Sequence, residues 1–256
     1  MFFEFGIIIL GFFCSVTIAD LKEELIGHWK FDEGSGDQVK DISGKDHHGK
    51  VVDGKIKWVD GKEKKAIYSN QVDIQIDDHP DFHLEKAVSI SLWTKPDGAQ
   101  ANWAKFFIKQ KSRKYPYSLQ YNDGQAIFAT VHADARFDTI PKLPTFKEWA
   151  HLCFTYGGER KVIVLYKDGK EGARTKASGK LKQNDLPVSI GGRLGSNQDL
   201  KGSIDEIMLY NRAVTPEEIK AISKGGNFLS VTATANKLPV TWSRLKVRRL
   251  LQLRQD

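Results

Sequence analysis

The run GSIDEIMLYNRAVTPEEIKAI, residues 202–222, sets two carboxylates, Asp205 and Glu206, inside an apolar strand pattern. A retaining glycosidase needs two carboxyl groups roughly 5–5.5 Å apart over one cleft. Neighbouring residues of a regular strand point to opposite faces, so Asp205 and Glu206 are expected to face apart and cannot form such a pair. No other strand pattern carries two spaced acids beside an aromatic plate, and the G-x-S-x-G, H-E-x-x-H and P-loop motifs are absent. His132 and His151 fall in strand patterns without an evident nucleophile and read as structural. No catalytic residue is assigned, and a polysaccharide-acting hydrolase or lyase is kept as the alternative to a binding role.

Two other chemistries have candidates. Calcium takes six to eight oxygens from carboxylates, carbonyls and water. The turn-rich stretch FDEGSGDQVKDISGKDHHG, residues 31–49, offers Asp32, Asp41, Ser43 and Asp46 among exposed carbonyls. A loop closed by hydrogen bonds alone, with Asp41 capping backbone amides, is the competing reading. Sugar sites combine an aromatic plate with a few polar groups. Trp103 sits among turn residues in DGAQANWAK, residues 97–105, with Tyr115, Tyr117, Tyr121, Arg136 and Arg193 as candidate neighbours; a hydrophobic plug under that loop is the competing reading. Trp29, Trp93 and Trp149 lie in apolar strand patterns and are expected in the core.

The elements that must position these residues are strands. LIGHWKFD (25–32), VDIQI (72–76) and AVSISLWTK (87–95) alternate with period two. Residues 116–133 form two such runs around Asn122-Asp123-Gly124, a hairpin signal. WAHLCFTY (149–156), KVIVLYKDGK (161–170) and PVSIGGR (187–193) continue the series. Recurrent short strands without long helical patterns indicate a sandwich or barrel. One short helix is predicted after the last strand. Thr215 and Glu218 can form a capping box, Pro216 takes the first helical position, and Gly225-Gly226 ends the helix. A helix this short cannot stand alone and is expected on the sandwich edge.

Composition narrows the class. With 256 residues, 40% hydrophobic and 28% charged, the chain can bury a sizeable core. Residues 226–256 carry six cations against Asp256, a net of +5 out of +7 for the whole chain. Setting Glu4 aside leaves +3 on residues 20–225. A nucleic-acid binder would want its basic face on the folded domain, so nucleic acid is not an expected partner. The stretch MFFEFGIIILGFFCSVTIA, residues 1–19, is apolar from Phe5 to Phe13 and ends in small residues, which predicts a signal peptide and a secreted or surface-exposed protein. Cys14 would leave with it, and Cys153 reads as a small buried hydrophobe. Residues 227–256 form a basic tail that reads by default as solvated; its segment TWSRLKVRRLLQLRQ has an imperfect amphipathic pattern, and an anionic surface or a partner is the alternative.

Several segments, taken in order, resemble the laminin-G-like, concanavalin A-like jelly-roll family. They are the glycine-rich opening LIGHWKFDEGSGDQVKDISGKDHHG, the tryptophan strand VSISLWTKPDG, then KEWAHLCFTY, VLYKDGK with VSIGGR, and the closing IDE with YNRA and its capped helix. The resemblance covers roughly residues 22–226. It implies an all-β sandwich of two antiparallel sheets with one short C-terminal helix, spanning residues 20–226. It also implies a structural calcium ion between the opening loop and the IDE aspartate. Carried onto this chain, that site puts Asp41 and Asp205 first, Asp32 next, and Ser43 and Asp46 as additional oxygens. The chain departs from the family loop at Lys45, Asp46 and His47, where asparagine and glycine are usual. The fold serves lectins, adhesion modules and enzymes alike. The expected function is a non-catalytic extracellular module for glycans or protein partners.

Overall fold

The computed structural model describes residues 21–110, 115–193 and 195–226. The expected signal at 1–19 and the basic tail at 227–256 lie outside the described residues. Two antiparallel sheets face each other. The first runs Lys170–Lys176, Val162–Lys167, Ala150–Gly157, Ala87–Pro96, Gly202–Tyr210, Lys65–Ser69 and Lys57–Asp60, with Leu25–Trp29 also paired to Gly202–Tyr210. The second runs Arg136–Asp138, Ala126–His132, Tyr117–Asn122, Lys105–Lys109, Val188–Ile190, Asp73–Ile76, Gly49–Asp53 and Gln38–Val39, with Leu143–Pro144 also paired to Ala126–His132. This is the all-β sandwich that the strand spacing predicts.

Alternation builds the core. Val88, Ile90 and Leu92 of one strand meet Leu152, Phe154 and Tyr156 of its neighbour, while Ser89 and Ser91 turn outward with Cys153. From the second sheet, Phe107, Tyr117, Leu119, Tyr121 and Val131 enter the same core. Trp29 joins them, fully buried, its indole N–H donating to the His47 carbonyl at 2.8 Å. The Asn122-Asp123-Gly124 hairpin forms as predicted, with positive φ at both Asp123 (53°) and Gly124 (68°), the conformation such turns demand.

The helix Pro216–Ile222 begins with the predicted capping box: Thr215 Oγ1 accepts from the Glu218 amide and Glu218 accepts from the Thr215 amide. It does not sit on the sandwich edge. Ile219 and Ile222 pack with Leu21, Leu25, Cys153, Val164, Tyr166, Met208 and Tyr210 on the outer face of the first sheet, where the side chains skipped by the main core would otherwise be bare. Arg212 holds the helix start by a two-pronged ion pair to Glu218, both contacts 2.7 Å. Among the described residues, no helix is long and apolar enough to cross a membrane.

Candidate functional site

The strand Gly202–Tyr210 does not alternate strictly. Ile204 and Ile207, three residues apart, both enter the core between the sheets. The pairing with Ala87–Pro96 slips between Asp205 and Met208, and Glu206 holds a φ of +49°. One extra residue in the strand makes a bulge that turns both carboxylates to the outer face. The sequence expectation that Asp205 and Glu206 face apart is therefore corrected. Glu206 Oε2 lies 2.5 Å from Nε2 of His28, whose strand neighbour Trp29 points inward, and Glu206 Oε1 lies 3.3 Å from Lys30 Nζ.

Asp205 is fully buried. Its Oδ2 accepts from the amides of Lys62 (2.8 Å) and Glu63 (3.0 Å), while Oδ1 has no hydrogen-bond partner among the described residues. Burial, with the Glu206 charge adding to it, pushes the carboxyl up to about 7 against the pull of the Glu63, Lys62 and Glu206 amides. Gly61 opens the space beside it. A Cβ there would stand 2.6 Å from Asp205 Oδ2, 2.6 Å from the Glu63 carbonyl oxygen and 2.5 Å from that of Lys65.

The other expected calcium ligands are arranged differently. Asp41 is saturated: Oδ1 accepts from the amides of His28 (2.9 Å) and Ser43 (2.8 Å), and Oδ2 from Ser43 Oγ (2.8 Å) and the His47 amide (3.0 Å). Asp32 accepts from Lys64 Nζ (2.9 Å) and the Lys65 amide (3.3 Å). Asp46 is an exposed side chain, 4.0 Å from His48. Asp32 and Asp205 thus grip one turn, residues 62–65, while Asp41 and Ser43 close their own loop. The residues do not converge as one five-member ligand set. Among the described residues, the set of three or more histidine, cysteine or acidic side chains whose potential ligand atoms all lie within 4.8 Å of one another is His47, His79 and Asp81.

The ligand candidates divide as well. Tyr117 and Tyr121 are fully buried in the core, bonded to the Phe82 carbonyl (3.1 Å) and Thr145 Oγ1 (3.0 Å), and are corrected from ligand contacts to core residues. They share the inward phase of Leu119. The other four gather around a residue that sequence reasoning missed, Lys105. Its Nζ stands 5.9 Å from the centre of the half-buried Trp103 ring and 5.7 Å from that of Tyr115. The Arg136 guanidinium lies 5.8 Å from the same Trp103 ring, whose edge meets Phe128 at 5.8 Å. Arg136 and Arg193 both bear electrostatically on Lys105. Lys105 Nζ donates to Gln120 Oε1, and Gln120 Nε2 donates to the Tyr115 hydroxyl at 2.9 Å. His132 meets the Tyr115 ring edge-on at 5.3 Å. Gln120 and His132 alternate with inward-facing Leu119, Tyr121 and Val131, so the cluster lies on the outer face of the second sheet.

Two further arrangements bear on function. His151 Nε2 stands 2.7 Å from Ser91 Oγ, a serine–histidine contact invisible in the sequence. The ring is fully buried, burial holds its pKa down at about 3, and its Nδ1 lacks a partner among the described residues. The imidazole is out of contact with solvent, as a structural histidine would be. Trp93 is buried against it on the outer face, outside the main core. Trp149, expected in the core, is instead half-buried just before the strand Ala150–Gly157, in a surface cleft of about 520 Å³ lined also by Tyr68, Lys95, Asp97 and Lys147.

A laminin G family model, described as the concanavalin A-like lectin/glucanases superfamily, matches residues 69–220, more than half of the chain. Rat (Rattus norvegicus) C-reactive protein is 31% identical over an alignment 99 residues long that covers 35% of this chain and 40% of that protein. Among solved structures, domain 4 of the extracellular arabinanase AbnA from Geobacillus stearothermophilus, solved with arabinotriose, superposes with a TM-score of 0.65 at 24% identity over 78% of this chain and 98% of that one. The binding domain of botulinum neurotoxin DC, solved with SialylT, gives a TM-score of 0.62 at 12% identity over 80% of this chain and 52% of that one. The two superpositions establish likeness of fold.

Proposed function

The chain belongs to the concanavalin A-like lectin/glucanases superfamily, and from that premise we propose that it is a non-catalytic extracellular module that binds a glycan at the Trp103 cluster. The observation that carries this reading is the half-buried Trp103 indole, offered beside Lys105, Arg136 and Tyr115 on an outer sheet face. An aromatic ring flanked by a few fixed polar groups is the chemistry of a sugar platform. The glycans held by AbnA domain 4 and by the neurotoxin binding domain agree with a binding role on this fold. The carboxylates most suited to glycoside hydrolysis are engaged elsewhere: Asp205 with backbone amides, Glu206 with His28 and Lys30. The extracellular setting rests on the apolar run from Phe5 to Phe13. A glycan array run in parallel with a hydrolase screen on the whole chain tests the reading. Binding that Trp103→Ala removes supports it, whereas turnover of a polysaccharide would replace it with the enzyme alternative.

The implied calcium ion fits one residue of the expected five, Asp205. Asp205 keeps a buried oxygen without a donor and a carboxyl destabilised by burial, which a cation would relieve. Asp41 has no oxygen to spare. In this proposal Asp205 holds the ion, the Glu63 and Lys65 carbonyls beside Gly61 are candidate further oxygens, and Asp41 organises the loop by hydrogen bonds. When bound, the ion would supply charge compensation and tie the last strand to the turn at residues 61–65. Isothermal titration with calcium tests it, and heats no larger than those of buffer would end it.

A further inference from the structure

Building on the reading that the Trp103 cluster takes a glycan, we propose that this glycan is acidic, with a carboxylate or sulfate group seated against Lys105 between Arg136 and Arg193. The strand Lys105–Lys109 supplies its own comparison. Its two lysines are both almost wholly buried, at 2% and 0% exposure. A buried lysine is ordinarily paired, and Lys109 is: its ammonium meets the Asp78 carboxylate and the Leu186 carbonyl. Lys105 has the neutral Gln120 amide oxygen instead. Among the described residues, the charged groups that bear on it are the guanidinium groups of Arg193 and Arg136, of its own sign. The neighbouring carboxylate, Asp138, is taken by Arg136 Nε at 3.0 Å and by Thr130 Oγ1 at 2.6 Å. Lys105 and Arg136 thus meet at the Trp103 ring with Arg193 bearing on them, and the Asp138 carboxylate beside Arg136 is already engaged.

The rings of Trp103 and Tyr115 compensate part of this charge through their faces, and they also fix where a ligand would lie. A pyranose stacked on Trp103 brings a substituent on its edge toward the Lys105 ammonium. An anion there would do for Lys105 what Asp78 does for Lys109. Selectivity follows, because a neutral sugar leaves the repulsion among three cations unrelieved.

The same groups give the site a pH dependence. Lys105 faces Gln120 and Tyr115 on its own sheet, with His132 behind Tyr115, Arg136 from the strand Arg136–Asp138 and Arg193 from the loop after Val188–Ile190. Burial first, then Arg193 and Arg136, lower its pKa to about 7. The ammonium that attracts an anion is therefore present below pH 7 and is lost above it.

Binding of heparin-derived and oligouronate octasaccharides, each against its desulfated or carboxyl-reduced counterpart, tests this on the whole chain. The acidic members should bind at least tenfold more tightly at pH 6, with the ratio shrinking by pH 8.5. Lys105→Gln and the more exposed Arg136→Gln should each collapse that ratio. Neutral counterparts that bind as tightly as the acidic ones, in a Trp103-dependent way, would overturn the anion inference and leave the glycan reading standing. Failure of both members to bind would remove both. Acidic binding unchanged in both variants would assign it to the basic tail and overturn the inference. Should Lys105→Gln fail to fold, Arg136→Gln decides.

Discussion

Glu206 and His28 meet at 2.5 Å on the outer face of the first sheet, the same face to which Asp205 turns. The contact exists because the bulge at Glu206 shifts the strand by one residue. Breaking it should cost stability without touching a calcium response carried by Asp205. Glu206→Gln keeps a hydrogen-bond acceptor for His28 but loses the charge facing Lys30, and we expect a loss of about 1–3 kcal/mol. Denaturant melts of the two proteins, with and without calcium, would show it. A calcium increment that disappears in Glu206→Gln would instead make Glu206 a ligand.

Asp205 should give the protein a pH-dependent weakness. Its carboxyl stands at about 7 in the fold against roughly 3.9 in an unfolded chain. The folded state therefore holds more protons between those values, and stability from this group falls as pH rises from about 4 to about 7, then levels. Asp205→Asn should remove that slope, so the two melting curves diverge across this window when calcium is chelated. Added calcium at pH 7.5 should raise the melting temperature of the parent and leave the Asn variant where it was. Parallel pH profiles for the two proteins would show that Asp205 titrates normally.

Asp41 makes a contrasting case. Four donors, three of them backbone amides, end on its carboxylate. Asp41→Ala should lose about 2–4 kcal/mol, since buried donors left unmade are expensive. The loss should be equal in calcium and in chelator. A loss seen only in calcium would restore Asp41 as a metal ligand.

Tyr117 and Tyr121 serve the core, so their hydroxyls should matter to stability and not to ligand. Tyr117→Phe unpairs the Phe82 carbonyl and should cost about 1–2 kcal/mol with glycan affinity unchanged. A tenfold fall in affinity at unchanged melting temperature would return Tyr117 to the binding face.

The residues that could be read from sequence are those governed by local rules. Period-two alternation put Val88, Ile90 and Leu92 in the core and Ser89 and Ser91 outside it. The Thr215–Glu218 capping box and the Asp123-Gly124 turn need only their own few residues. The same alternation, followed through Tyr117-Ser118-Leu119-Gln120-Tyr121, already places both tyrosines with Leu119. Glu206 escaped because a bulge with positive φ at a glutamate leaves no mark in composition. Lys105 escaped because its partner Gln120 comes from cross-strand register, and its fellow cations arrive from another strand, in the case of Arg136, and from a loop, in the case of Arg193. Trp149 was misjudged by one residue, the strand beginning at Ala150.

Trp103 and Trp93 separate binding from stability most directly. Trp103 is half-buried with a φ of +66°, packed by its edge on Phe128 and approached by two cations. Trp93 is 6% exposed, set edge-on against His151 at 5.4 Å and covered by Lys62 at 4.4 Å. Removing a buried tryptophan forfeits its apolar transfer energy and leaves a cavity, together about 3–5 kcal/mol. Removing a half-exposed one forfeits only part of that, and alanine also relieves little of the positive-φ strain, since a Cβ remains. Trp93→Ala should therefore lower the melting temperature sharply, and its folded fraction should bind glycan with parent affinity. Trp103→Ala should melt within a few degrees of the parent and lose at least tenfold in affinity, because the plate that stacks the sugar is gone. Thermal melts paired with glycan titrations read both quantities on the same samples. A Trp103→Ala protein that keeps parent affinity would move the site, with the Trp149 cleft the next place to probe by Trp149→Ala.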